Sequence, residues 1–319
     1  MLILLGACGQ TAPVPQEKLT ITYSGSNAQF ALLWEAKETG LFQKEGLDAD
    51  LVQTRGGSEA MQALVAGSAQ FSMAGASTLI EARGAGAGML LVATAVPKMT
   101  SQIAVRQGIE SPRDLRGKKL GIVSRGGTTD IEARWFLQSN GLKPDSDVTM
   151  VPLGGGAQLA AGLSSGVIDA AAISFLPGSA IRAVNGKILA DLSQVGPTYE
   201  GQNIGTTRAL VKSRPELVRR FMRAYVAAIH TFKMQKQLTI DTLRAHKVSD
   251  DPEELEQLYT KYAENIFPRA PYVSEEGLQT AMAGVPGAKA ASLQPSDLID
   301  NRFVKELDDT GYIAKLYGA

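Results

Sequence analysis

Short apolar runs alternate with stretches of helical spacing along the first hundred residues. Residues 19–24 read as a strand, and Ser26 or Asn27 is placed to cap a helix that runs to Thr39 and stops at Gly40. Leu47 to Thr54 alternates as a second strand. Gly56-Gly57-Ser58 leads into a helix ending near Gly67. Phe71 to Gly75 is a third strand, Ala76-Ser77-Thr78 opens the next helix, and Leu90 to Val96 is a fourth strand. This β-α-β-α-β rhythm predicts a mostly parallel, doubly wound sheet, because parallel neighbours need a crossover between them.

The pattern then starts again. Leu51-Val52-Gln53-Thr54-Arg55-Gly56-Gly57 is echoed by Met150-Val151-Pro152-Leu153-Gly154-Gly155-Gly156, 99 positions on from Gly56 to Gly155. Ala63-Leu64-Val65-Ala66-Gly67 is echoed by Gly162-Leu163-Ser164-Ser165-Gly166. The strands Thr20–Ser24 and Leu120–Ser124 both end at a serine before a helix. Two copies of one unit predict two similar α/β lobes with a cleft between them. Gln102 to Arg106 reads as a strand leaving the first lobe, and Gln202 to Val211 as a strand returning to it. Crossings near 103–106 and 204–209 form a two-segment hinge, which gives lobe 1 residues 19–104 plus 206–319 and lobe 2 residues 105–205.

The remainder is a helical C-terminal extension. Ser213-Arg214-Pro215-Glu216 has capping-box spacing, with Ser213 as N-cap. Asp251-Pro252-Glu253-Glu254 and Ser274-Glu275-Glu276 start further helices, and a last one covers about Asp300 to Asp309. The aromatic residues of these helices fall at helical spacing and read as core.

Composition narrows the function. The chain has 319 residues, 44% of them hydrophobic and 20% charged, with no net charge, so two domains can each bury a core. A nucleic-acid partner is not expected, since no concentrated positive field is present to release phosphate counterions. His230 and His246, the only histidines, read as solvated helix positions, and no spacing suggests a metal site or a cofactor. The single cysteine follows an apolar start, Met1-Leu2-Ile3-Leu4-Leu5-Gly6-Ala7-Cys8, which looks like a bacterial lipobox with Cys8 as the lipidated residue. That run is short and lacks a basic leader, which places the expected start upstream. Residues 1–18 then read as signal remnant and tether, polar and proline-bearing from Gly9 to Lys18.

Ligands of open α/β sheets bind beyond the carboxyl ends of the strands. The candidate binding residues there are Ser24, Ser26, Asn27, Gly57, Ser77 and Thr78 from the first lobe. The second lobe offers Arg125, Gly127, Thr128, Thr129, Gly155 and Phe175. Glycines let backbone N–H groups approach a ligand, and helix N-termini favour an anion or an acceptor-rich molecule. Arg125 fits the cleft or the surface equally well, and Trp34 reads as core rather than apolar wall. Gly154-Gly155-Gly156 is not a P-loop, because no Gly-Lys-Ser/Thr follows. An enzyme on this fold would need a general acid or base, and only Asp130 and Glu59 stand in these loops, so no catalytic residue is assigned. A regulator's sensing module is disfavoured, for no helix-turn-helix segment is spare.

The segments Glu38-Thr39-Gly40-Leu41-Phe42 with Glu45-Gly46-Leu47, Arg55-Gly56-Gly57, Ser111-Pro112-Arg113-Asp114-Leu115-Arg116-Gly117-Lys118 and Gly166-Val167-Ile168-Asp169-Ala170 carry a further signal, as do Ser213–Leu217 and Phe303–Leu307. Together they resemble the substrate-binding proteins of bacterial ABC importers, in the branch that serves alkanesulfonates, taurine, nitrate and thiamine-pyrimidine precursors. The resemblance implies a type II periplasmic binding protein fold, capture of a small anionic or polar solute by hinge closure, and delivery to a permease with its ATPase. It also implies a monomer in the periplasm or on the outer face of the cytoplasmic membrane. Ala76 is small where some sulfonate binders carry an acidic or polar residue, so a pyrimidine or aromatic carboxylate remains an alternative solute. The pyrimidine-synthase relatives use a cysteine-rich motif that a chain with Cys8 alone cannot carry.

Overall fold

The computed structural model describes residues 16–54, 57–174, 178–285 and 292–318; Cys8, Arg55 and Phe175 lie outside them. Among the described residues ten strands form two five-stranded sheets. The first holds β1 (Glu17–Tyr23), β2 (Leu47–Gln53), β3 (Phe71–Gly75), β4 (Met89–Lys98) and β10 (Thr198–Thr207), in the order β2-β1-β3-β10-β4. The second holds β5 (Gln102–Val105), β6 (Lys119–Ile122), β7 (Thr149–Pro152), β8 (Ala170–Ile173) and β9 (Lys187–Asp191), in the order β7-β6-β8-β5-β9. The orders match, as the repeat requires.

Each sheet is parallel except for one strand. β10 runs antiparallel to β3 and β4, and β5 runs antiparallel to β8 and β9. These are the two strands read from sequence as hinge segments, and they sit inside the sheets instead. Gln102–Val105 belongs wholly to the second sheet, and β10 begins at Thr198, so the chain changes sheets at 99–101 and 192–197. The shift has a simple cause: an extended segment between two sheets leaves its N–H and C=O groups unpaired unless it joins one of them. The stretch from Arg208 to Val211, read as strand, is the start of a short helix.

Helices cover both sheets. The first lobe has α1 (Ala31–Glu38), α2 (Leu41–Lys44), α3 (Gly57–Val65) and α4 (Ala76–Gly84). The second has α5 (Thr128–Ser139), α6 (Gly156–Ser165), α7 (Gly178–Ala183) and α8 (Leu192–Val195). The C-terminal part has α9 (Arg208–Ser213), α10 (Pro215–Met234), α11 (Lys236–Ala245), α12 (Pro252–Thr260) and α13 (Glu275–Gly284), then helices Arg302–Asp309 and Tyr312–Leu316. A π-helical turn, Lys261–Ile266, continues α12. Helix α10 buries Val218, Phe221, Met222, Tyr225 and Ile229 against α1 and the first sheet, with Phe221 stacked on Phe71 at 3.9 Å. Each such side chain contributes roughly 1.5–3 kcal/mol by leaving water.

The cap readings divide. Asp251 and Ser274 cap α12 and α13, accepting from the N–H groups of Glu253 and Gly277 at 2.8 and 3.1 Å. Ser213 does not cap α10. It is the last residue of α9, its hydroxyl donates to the Ala209 carbonyl at 2.8 Å, and Arg214 is the N-cap. His246 is not simply solvated either. Its ring stacks on Trp34 at 4.1 Å, and Nε2 lies 2.6 Å from the Glu38 carboxylate.

A second apolar cluster runs from one sheet to the other. Leu79, Ile80 and Leu91 of the first lobe join Ile103, Leu120, Ile131 and Phe136 of the second, with Tyr199 and Leu278 between them. Helix α13 lies along this seam, and a Cβ on Gly284 would sit 2.6 Å from Ile131 Cγ2.

Candidate functional site

Three parallel strands in each sheet end on the same side, at Tyr23, Gln53 and Gly75 and at Ile122, Pro152 and Ile173. Three of the helices that follow have a glycine at the N-cap and no side-chain cap: Gly75 before α4, Gly127 before α5 and Gly155 before α6. Elsewhere Thr207, Asp251 and Ser274 cap their helices with side chains. A capping oxygen satisfies an N–H group of the first turn, so glycine at these positions leaves that turn to solvent or to a ligand.

The two sheets meet at this point. A Cβ placed on Gly75 would lie 3.1 Å from Thr128 Oγ1 and 3.6 Å from Ser77 Oγ. The start of α5 therefore faces the end of β3 across the gap between the lobes. Gly57 stands beside Thr78, where a Cβ would lie 2.5 Å from Thr78 Oγ1. Gln202, in register with Gly75, is buried with its Oε1 unpartnered, a polar group in want of a bond at the same strand end. On the rim, Glu81 Oε1 comes within 3.9 Å of a Cβ built on Gly126, and partial burial raises its carboxyl above the usual range.

Of the residues read from sequence, the contacts bring together Gly57, Ser77, Thr78 and Thr128. Gly127 is the N-cap beside Thr128 and touches its own loop, since a Cβ there would lie 2.7 Å from Ser124 Oγ. Ser24 and Ser26 sit in the loop after β1, where Asn27 Oδ1 accepts from Gln29 N–H at 3.3 Å. Gly155 sits under the Gln158 side chain at the start of α6. Thr129 is turned inward, its hydroxyl accepting from Val123 N–H at 3.0 Å.

Arg125 is committed elsewhere. Nη1 donates to Asp145 at 2.7 Å and Nη2 to the Met150 carbonyl at 2.7 Å. Asp145 also accepts from Arg134 at 2.7 Å, and Arg134 Nε donates to Asp130 at 2.8 Å. Burial works to raise the Asp145 carboxyl, but the bonds from Arg125 and Arg134 outweigh it and hold the group below its usual range. Asp130 in turn accepts from Gly126 N–H at 2.9 Å. This chain of charges braces the 123–127 loop. Among the described residues no cluster of three or more His, Cys, Asp and Glu could hold a metal ion. No helix there is long and apolar enough to cross a membrane.

Residues 27–235 match the family described as NMT1/THI5 like. The chain belongs to the NMT1/THI5-like family. Curated relatives include a protein of Brucella abortus strain 2308, provisionally named a binding protein, and its counterpart in Brucella suis strain 1330. Each is 33% identical over 192 residues, 59% of this chain and 58% of the relative, so the match spans little more than half of their length. Solved structures share the fold. A protein of Bordetella bronchiseptica RB50 superposes with a TM-score of 0.76 at 23% identity, over 92% of this chain and 97% of that one. The alkanesulfonate-binding protein of Xanthomonas axonopodis pv. citri, bound to MOPS, gives 0.68 at 22% identity, over 83% and 90%. The periplasmic nitrate-binding protein of Synechocystis PCC 6803 gives 0.70 at 14% identity, over 94% and 91%. The NMT1/THI5-like chain thus has the periplasmic binding protein fold that the resemblance implied, with the two lobes that its repeat predicts.

Sequence reasoning passed over Gly75 and Gln202. The signal for Gly75 was its place at the end of a strand just before a helix, with no capping residue. Gln202 gave none, because its partner strand lies more than a hundred residues earlier.

Proposed function

We propose that this chain is the extracytoplasmic solute-binding component of an ABC importer. Its two lobes close on a small anionic or polar organic solute of the sulfonate, taurine or nitrate kind. The closed form is then read by a permease and its ATPase. The observation that carries this reading is the meeting of two uncapped helix starts from opposite sheets, α4 behind Gly75 and α5 behind Gly127 and Thr128. A bound anion between them would accept N–H groups from both lobes at once and so favour the closed arrangement. The names of the structural relatives point to the same solute classes. With Asp130 held by Gly126 and Arg134, the reading is capture without turnover. Lipidation at Cys8 would keep the domain at the membrane surface, and the protein would act there as a monomer.

The test is a thermal-shift screen of the full chain against taurine, longer alkanesulfonates, MOPS, nitrate, bicarbonate, aromatic carboxylates and pyrimidines. A solute at 100 times its dissociation constant adds about 2.7 kcal/mol to stability. One selective anionic class is expected. Selective stabilisation by a pyrimidine would move the assignment to that alternative, and a shift that survives Gly75→Val undiminished would place the site outside this cleft.

A further inference from the structure

The first crossing between the sheets is gripped from both sides. The Thr100 N–H donates to the Glu132 carboxylate at 3.2 and 3.3 Å, and the Ser101 N–H donates to it at 2.7 Å. The Thr100 carbonyl accepts from Lys261 Nζ at 3.4 Å. The same ammonium lies 3.4 Å from the Ser174 carbonyl and 3.5 Å from the Asp191 carboxylate. Glu132 belongs to α5 of the second lobe. Lys261 opens the π-helical turn, whose next residues, Tyr262 and Ala263, are buried in the first lobe's core. Opposite charges from opposite lobes therefore hold one peptide.

Glu132 is fully buried, whereas Lys261 and Asp191 reach the surface in part. Burial raises the Glu132 carboxyl to about 7, against the Ser101 and Thr100 donors and the Lys261 charge. The phenols of Tyr199 on β10 and Tyr262 are pushed up by burial first and by Glu132 second. Asp191, raised by burial, is carried below its usual range by Ser193, Lys261 and Gln102. Glu132 thus stands between both crossings, near Thr100 of one and Tyr199 of the strand that completes the other.

Helix α5 links this grip to the cleft. Thr128, which faces Gly75, and Glu132 are four residues apart and share one face of the helix. A helical turn is stiff, so a shift of the first turn toward a solute moves the carboxylate that holds Thr100. Lys261 reaches the cleft by another route, through Ser174, which directly follows β8.

We infer that Glu132 and Lys261 are positioning residues that set the balance between open and closed lobes, acting through the Thr100 peptide without touching the solute. The inference rests on the closure reading above. Removing the Glu132 charge weakens its hold on the Thr100 and Ser101 N–H groups, and removing the Lys261 charge takes the donor from the Thr100 carbonyl and the partner from Asp191, so either change bears on the crossing itself.

The experiment uses the full chain with Cys8→Ser and spin labels at exposed Lys44 and Ser164, one on each lobe. Interlobe distances are measured before and after addition of taurine, MOPS or nitrate. In the parent chain two separations are expected. Glu132→Gln and Lys261→Met should each change their ratio about fivefold or more, in the range of ordinary coupling energies. The double variant should change it no more than the larger single change, because both act on one peptide. Lys261→Arg should restore the parent ratio. Unchanged ratios in Glu132→Gln and Lys261→Met, with only a lower melting temperature, would show a merely structural role and overturn the inference. If Glu132→Gln does not fold, the Lys261 pair decides alone. A single separation in the parent chain under every solute would instead overturn the closure reading, and this inference with it.

Discussion

Gly75 governs how near the two sheets can come. Its backbone is unstrained, at φ −61°, so a larger residue is excluded by what stands opposite. A Cβ there would press on Thr128 Oγ1, and a valine would add two methyl groups more. Gly75→Val should therefore weaken solute capture by at least about tenfold, or 1.4 kcal/mol, while the unbound protein melts within a few degrees of the parent. Calorimetric titration with the solute found in the screen reads this directly, and unaltered affinity would remove Gly75 from the site. Buried acids set the pH response. Burial raises Glu35 to about 8 and Glu132 and Glu200 to about 7, well above their unfolded value near 4.5. Between those limits the folded chain binds more protons than the unfolded one, so stability falls as pH rises from about 5 to 8. Asp191, Asp145 and Asp114 are held low and withdraw stability only below about pH 4. The melting temperature should be higher at pH 5.5 than at pH 8, and Glu35→Gln should reduce the difference. A melting temperature that rises from pH 5.5 to 8 would contradict this assignment.

Caps test the elements. Asp251→Ala should destabilise the protein by about 1 kcal/mol, because the carboxylate satisfies two first-turn N–H groups of α12. Ser213→Ala should change stability by less than about 0.5 kcal/mol, since that hydroxyl only bonds back within α9. Urea denaturation of the two variants separates them, and equal losses would contradict the cap assignment. Local signals such as Asp251-Pro252 and the glycines after each strand were legible because their partners lie within a few residues. The placement of Gly57, Ser77, Thr78 and Thr128 at strand ends was legible for the same reason, aided by the repeat. Arg125 was not, since its fate depends on Asp145 and Met150, twenty or more residues away in the chain. The stacking of His246 on Trp34 and the antiparallel strands β5 and β10 depend on still more distant pairings, which no local pattern encodes.

At the scale of the whole molecule, the duplicated pattern predicted two matching sheets and missed where the chain passes between them. Pairing decides that, and it moves the crossings several residues earlier than the run of apolar residues suggests. The seam between α13 and α5 offers a test of closure. Gly284→Val should wedge Ile131 outward, enlarge the radius of gyration in small-angle scattering and leave the circular dichroism of the helices unaltered. An unchanged radius would mean that the seam does not limit the lobes. The placement of β10 also imposes an order on how the molecule comes into being. The second sheet is drawn from one continuous stretch, 102–191, whereas β3 and β4 await a strand that begins at Thr198. During synthesis the second lobe can form while the first still shows two open strand edges, and contacts of such sequence separation form slowly. Unpaired edges of this kind invite association between chains. The nascent protein is therefore most vulnerable in the interval before all of β10, to Thr207, has emerged, and a holding chaperone would matter most then.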